Sequence, residues 1–409
     1  MPNTPNAAPD LDALYGRALK PYDGPLSPEV LIAEAEQATG LSDWGGERWG
    51  EARFRGRLQA LCTALENESF LTPVGRSRAH GRLHVALCSR LRMNAWRRGW
   101  QGEAPVKAPL VGTGFPRAGT SFLHQLLAQD PENLSCSTAE AAIPTPPPGD
   151  AAFDAARNAF VQRILEFQGL DAPEVEAVHP FDPDQPDECL ALQESGIGSL
   201  YQAFFNVPSF MARVVGEMGD LFAWEVGMMQ ILQSSQSKTR WVLKTPEHMN
   251  NWETMIKVFP DARIFLNHRD PAKVIPSICS LFLTFCGLNS NVRVDPKLVG
   301  PATCARMAAT MDRVTAWRRA NPAVKVVDVH YRTLVADPVA EAERVYGEFG
   351  LELSGNARDR MASFLKVNRH GQGPKHAYSL EDFGLDAAQL ETHFGRYIDE
   401  FGIAREARS

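Results

Sequence analysis

From Lys107 onward, short apolar runs alternate with stretches of helical period, and this alternation limits the fold more than any other feature of the chain. Residues 109–114 read as a strand and 120–128 as the helix behind it. Residues 241–243, 261–268 and 324–330 read as further strands, with helices at 247–258, after Pro271 and at 338–349. Strand, crossover helix and strand in one repeated order imply a parallel sheet covered on both faces, a three-layer α/β fold. Ligands on such sheets sit at the carboxyl ends of the strands, which is where chemistry is expected.

The sequence before Lys107 is of another kind. Residues 1–25 are rich in Pro, Asn, Gly and Asp and read as a loose arm, with order starting at Ser27, a helix N-cap followed by Pro28. Helices are expected at 53–66 and 77–96. Around the second lie seven arginines (76, 78, 82, 90, 92, 97, 98) with no acid between them. They suit either a face turned to an anionic substrate, nucleic acid or membrane, or a solvated face paired with acids elsewhere. The Pro-rich run 143–149 reads as a stiff linker, and helical stretches at 151–167 and 187–205 read as a cap. The expected organisation is a helical region, 1–105, and a main domain, 106–409, with the cap inserted at 143–235.

With 42 Lys+Arg against 49 Asp+Glu the net charge is −7, which excludes a constitutive nucleic-acid coat and makes any anion site local. Seven scattered cysteines without a Cys-x-x-Cys pair give neither a disulfide framework nor a zinc site, and a reducing cytoplasmic setting is expected. The N-terminus lacks the basic and apolar regions of a signal peptide. The most apolar stretch, 274–288, holds Pro276, Ser277 and Ser280 and reads as a buried helix, so no transmembrane segment is expected. His268-Arg-Asp270 and Asp382-Phe-Gly384 spell kinase words without the rest of the kinase set. His80 and His84 have metal-pair spacing but no third ligand.

The sharpest motif is Gly114-Phe-Pro-Arg117-Ala118-Gly119-Thr120-Ser121, between strand and helix. It is a Gly-rich loop at a helix N-terminus, where backbone N–H groups and the helix dipole attract a phosphate-like anion. It fits the pattern G-x-x-x-x-G-K-[ST] except that Thr120 stands where the lysine would be. Phosphoryl transfer from a nucleoside triphosphate relies on that lysine and on magnesium. A sulfuryl group carries less charge, and hydroxyls, amides and the fork of Arg117 suffice to hold it without metal.

On these residues the chain resembles the sulfotransferases that use 3′-phosphoadenosine 5′-phosphosulfate (PAPS). Pro116-Arg-Ala-Gly-Thr-Ser121 is similar to their 5′-phosphosulfate loop, which also implicates Phe122. Trp241-Val-Leu-Lys244-Thr-Pro246, then Arg269 after the third strand and Ser277 on the next helix, resemble the 3′-phosphate region. Tyr331, in His-Tyr-Arg-Thr-Leu, resembles a further element of the family. The 40–45 segment, His179-Pro180 with Glu188, and 378–385 look like a bacterial branch.

The resemblance implies a P-loop-like sulfotransferase fold, no resident metal, and adenosine 3′,5′-bisphosphate as product. It implies that Lys244 faces the leaving phosphate oxygen and that Lys375, in a basic closing loop, covers the 3′-phosphate. For the general base it points to Glu140, in a segment similar to that of tyrosylprotein sulfotransferases. Yet Ser137-Thr-Ala-Glu140 is also a capping box, and His124, His179 and Glu188 stay open as alternatives. A nucleotide or small-molecule kinase and a binding protein without turnover are the rival readings. The acceptor is expected to be a hydroxyl of a small molecule, lipid or glycan; peripheral membrane contact and homodimerisation are left open.

Overall fold

Among the described residues five strands pair in parallel: β1 (Leu110–Gly114), β2 (Asn133–Leu134), β3 (Arg240–Lys244), β4 (Arg263–His268) and β5 (Val326–His330), with β1, β3 and β4 buried along most of their length. Their order is β2-β3-β1-β4-β5, so β1 lies at the point where successive crossovers turn to opposite sides. The protein is seen here as a computed structural model, which describes residues 8–100, 102, 104–368 and 379–406. The expected closing loop with Lys375 lies outside the described residues.

The chain divides into two compact units. The sheet unit comprises Lys107–Ser135, Thr239–Leu283 and Arg293–Ser409. On one face of the sheet, Leu110, Val242, Phe265 and Val327 pack with Leu123 and Leu126 of the Thr120–Leu127 helix and with Leu334, Val345 and Met361 from three later helices. On the other, Phe115 meets Phe394 and Tyr397 of the Ala387–Phe401 helix edge-on. Both faces are covered, as a parallel sheet requires.

Two elements of this unit leave weak marks in the sequence. β2 has only two residues; it is fixed at the edge because Arg240 pairs with Asp130 and Asn133, and Tyr346 bonds to both of these (2.8 and 2.7 Å). The Pro296–Ala320 helix contains Pro301 and little amphipathic contrast, so its period is hard to read. The helix Pro271–Asn289 is long and apolar enough to cross a membrane by length and composition, but half of that window is packed inside the protein.

The other unit, Met1–Val106, Cys136–Lys238 and Thr284–Val292, joins the N-terminal helices to the 143–235 stretch. Order begins well before Ser27: the Leu11–Tyr15 helix buries Leu14 and Tyr15 completely or nearly so, which corrects the loose-arm expectation from about residue 8. Ser27 caps the Pro28–Thr39 helix as expected. The stretch 187–205 is not one helix but a 3₁₀ run, Cys189–Gly196, and a single turn, Tyr201–Phe204.

Most arginines of the Pro73–Gly99 helix are drawn into the protein; Arg98 is exposed and pairs with Asp43 at 3.0 Å. Arg90 is fully buried, donates to the carbonyls of Trp44 and Trp49 (3.1 and 3.0 Å), and lies between the rings of Phe54 and Trp224. Arg78 donates to Phe167 and Leu288 carbonyls, Arg82 pairs with Glu194, and Arg76 clamps Glu66. The guanidiniums of Arg78 and Arg90 are internal braces: flat, multiply donating groups that satisfy carbonyls between segments.

His80 and His84, on the same helix, are buried against Tyr22 with Glu34 and against the Leu14 carbonyl. Burial lowers the affinity of both for a proton, His84 to a pKa of about 4. Below about pH 6.5 the unfolded chain therefore takes up protons that the folded chain refuses. Stability present above that pH should be lost progressively toward pH 4, read as a falling urea-unfolding midpoint between pH 7 and 4. A flat midpoint would mean that these rings are not held neutral.

Candidate active site

The loop between β1 and the Thr120–Leu127 helix is shaped by three residues with positive φ: Gly114 (141°), Arg117 (71°) and Gly119 (82°). A Cβ on Gly114 would stand 2.5 Å from the Asn267 carbonyl oxygen, so only glycine fits. A Cβ on Gly119 would meet Tyr331 and Leu334 at 3.0 and 3.1 Å. Arg117 takes the left-handed conformation without being glycine, which costs about 1–2 kcal/mol. Residues held so are a recognised feature of binding sites.

Gly119 is the N-cap of the helix, and no side chain caps that end. Its first backbone donors and the Thr120 and Ser121 side chains therefore gather at one helix N-terminus. Phe122 and Ala118 are buried and hold the loop from beneath. Asn267, paired with Gly114 in the β1–β4 register, donates to the Ala118 carbonyl at 3.4 Å. Asn267 belongs to no motif; its mark in the sequence is that a polar residue ends the apolar run Ile-Phe-Leu.

Register brings the other residues to the same edge. Gly112 aligns with Lys244, and His268 with His330, so Lys244, Arg269 and Tyr331 all emerge at the carboxyl ends of their strands. Lys244 is buried and its Nζ donates to Ser121 Oγ at 3.0 Å. Arg117 Nε donates to Ser277 Oγ at 3.0 Å, and Arg269 Nη1 donates to the Arg117 carbonyl at 2.9 Å. The Arg269 guanidinium lies 3.8 Å from the Tyr331 ring centre and forms a bidentate pair with Glu406 (2.8 and 3.1 Å). The loop residues and the Arg269–Ser277 pair, expected from sequence to hold two separate anions, are thus linked by direct hydrogen bonds.

A polar chain supports Arg269 from behind. Its backbone N–H donates to the Tyr397 hydroxyl, which is 3.0 Å from His268 Nδ1, while His268 Nε2 is 2.8 Å from Asp328. Burial alone would raise the Asp328 pKa, but hydrogen bonds from His268 and Arg318 outweigh it and hold the carboxyl at about 2. Burial in turn lowers His268, so Nε2 carries the proton toward Asp328 and Nδ1 accepts from Tyr397.

The candidate bases are placed differently. His124 is buried and its Nε2 donates to the Val242 carbonyl (3.2 Å), a bond that ties the helix to the sheet. Glu140 belongs to the helical unit, where it closes a capping box with Ser137 (2.9 and 3.2 Å); burial raises its pKa against the opposing Ser137 amide. In the same unit His179 packs on Phe181 and Phe285, and the Glu188 carbonyl starts the 3₁₀ run.

A sequence model of the sulfotransferase family matches residues 109–355, from β1 to the start of the Gly355–Val367 helix. The chain belongs to the sulfotransferase family. It is similar to the omega-hydroxy-beta-dihydromenaquinone-9 sulfotransferase Stf3 of Mycobacterium bovis and of Mycobacterium tuberculosis, each 21% identical over 316 residues, 73% of this chain and 76% of theirs. Among crystal structures it is similar to sulfotransferase STF9 from Mycobacterium avium, with 26% identity, a TM-score of 0.82, and coverage of 95% of this chain and 100% of that one. Sulfotransferase STF1 from Mycobacterium tuberculosis is 25% identical with a TM-score of 0.76, covering 90% and 98%.

In this sulfotransferase, Gly119→Ala should strain the loop by about 1–2 kcal/mol and push Tyr331 away from Arg269. Urea unfolding should report the first and weakened binding of an anionic nucleotide the second. Unchanged values for both would show that the loop tolerates a side chain.

Proposed function

We propose that this sulfotransferase moves the sulfuryl group of PAPS to a hydroxyl of its acceptor and releases adenosine 3′,5′-bisphosphate. One observation carries the reading: Arg269, from the end of β4, donates to the carbonyl of Arg117 in the loop after β1 (2.9 Å), and the Arg117 side chain donates to Ser277 (3.0 Å). Two anion-binding arginines fixed to each other suit a ligand with anionic groups at both ends of one nucleoside. The donor set fits such a group: an uncapped helix N-terminus, hydroxyls at Thr120 and Ser121, and cations at 117, 244 and 269.

PAPS, when bound, supplies an activated sulfuryl group whose departure leaves negative charge on a phosphate oxygen. In our reading the loop amides and Arg117 hold the 5′ end, and Arg269 with Ser277 holds the 3′-phosphate. Tyr331 keeps the Arg269 plane oriented by stacking on it. Lys244, fixed by Ser121, provides a positive charge where the leaving oxygen gains its negative one, the way a preorganised cation contributes to catalysis. The acceptor class we propose is a lipid alcohol, since Stf3 is named for a hydroxylated dihydromenaquinone.

Calorimetric titration tests the donor assignment directly. Adenosine 3′,5′-bisphosphate should bind with or without magnesium, and adenosine 5′-monophosphate at least about tenfold more weakly, because a charge-assisted phosphate contact is lost. A preference for magnesium-ATP would replace this reading with that of a P-loop kinase.

We propose Glu140 as the general base, its buried carboxyl retaining a proton more readily than an exposed one. Glutamine also closes a capping box, so Glu140→Gln removes the base and keeps the cap. The variant should keep its melting temperature while kcat falls about 100-fold or more. Full activity would leave Glu140 with its structural task alone.

A further inference from the structure

The Arg269 edge that should receive the 3′-phosphate is already engaged by a carboxylate of the same chain. Nε and Nη2 donate in parallel to the two carboxylate oxygens of Glu406, at 2.8 and 3.1 Å. This is the two-pronged geometry by which guanidinium also takes phosphate. Nη1 is held by the Arg117 carbonyl, and a guanidinium face is covered by Tyr331. The Nε–Nη2 edge, the one Glu406 engages, has the two parallel donors that a bidentate anion needs.

The segment bearing Glu406 is anchored at its stem and lightly tied at its tip. Gly402, at φ 59°, ends the last helix, and Ile403 is buried. Beyond it, Arg405 pairs with Glu391 across half-exposed side chains, and the Glu406 amide donates to Asp270 Oδ2 at 2.7 Å. Asp270 also accepts from the Ala272 amide at the start of the Pro271–Asn289 helix, so the tip rests on the residue next to Arg269. The Arg269–Glu406 pair is about one-fifth exposed on both sides (21% and 20%), so an anion of higher charge arriving from solvent can reach it and compete for the same two donors.

We propose that Glu406 is an internal competitor of the 3′-phosphate: its carboxylate occupies the phosphate edge of Arg269, and nucleotide binding displaces it. Carboxylate and phosphate cannot share that edge, because two anions on one pair of N–H donors repel each other and each lacks its second bond. The segment from Ala404 to Glu406 swings away on the Gly402–Ile403 stem when the nucleotide enters. The competition lowers apparent affinity for donor and product alike, and so favours release of the bisphosphate after transfer. The proposal rests on the assignment of Arg269 to the 3′-phosphate.

The test is titration of adenosine 3′,5′-bisphosphate and adenosine 5′-monophosphate into the full chain and into Glu406→Gln, Glu406→Ala and Arg269→Ala. If the carboxylate holds the edge in about nine molecules of ten, both Glu406 variants should bind the bisphosphate about tenfold more tightly. Their affinity for the monophosphate should not change. Equal or weaker binding of the bisphosphate by both variants would overturn the proposal and make Glu406 a brace for Arg269. If the unaltered chain and Arg269→Ala bind both nucleotides alike, the 3′-phosphate assignment itself fails and the competitor role falls with it.

Discussion

β1 can leave the sheet where it does only because residue 114 has no side chain, since a Cβ there would stand 2.5 Å from the Asn267 carbonyl oxygen. That close passage lets the loop fold back over the end of β4. From it follow the bond of Asn267 to Ala118, the approach of Arg117 to Ser277 and the bond of Arg269 to the loop. A bulkier residue would move the loop off β4 and separate the two arginines that form the anion site. Backbone geometry at one glycine is thus upstream of the electrostatics.

The helical unit uses cations in another way. Arg90, Arg78 and Arg82 are spent on carbonyls, rings and one half-buried acid. A lysine could not replace Arg90, because one ammonium cannot serve two carbonyls and lie flat between two rings. The chain's net negative charge is compatible with this economy: its positive groups are placed where geometry needs them.

The sheet and the loop were legible because they obey local rules. Apolar runs followed by turns marked β1, β3, β4 and β5, and the glycine spacing marked the anion loop. β2 was not legible, since two residues have no period and their pairing is set by Asp130, Arg240 and Tyr346, up to 216 positions apart. The arginine helix is legible as a helix and its pairing with distant acids holds for Arg76, Arg82 and Arg98, but the burial of Arg90 is not legible, because sequence shows charge and not what covers it. Glu406 had no sequence mark: its partner lies 137 residues earlier. For Glu140 the same four residues spell a cap and a base, and the cap is what the fold displays.

Arg117 stands in a conformation that glycine would adopt without strain. Relaxing the backbone there would release about 1–2 kcal/mol and remove the guanidinium in the same step. Selection for a more durable protein and selection for grip on an anion therefore pull this position in opposite directions. A library screened only for heat resistance would be drawn toward glycine at 117, and its most robust members would be the poorest at their chemistry.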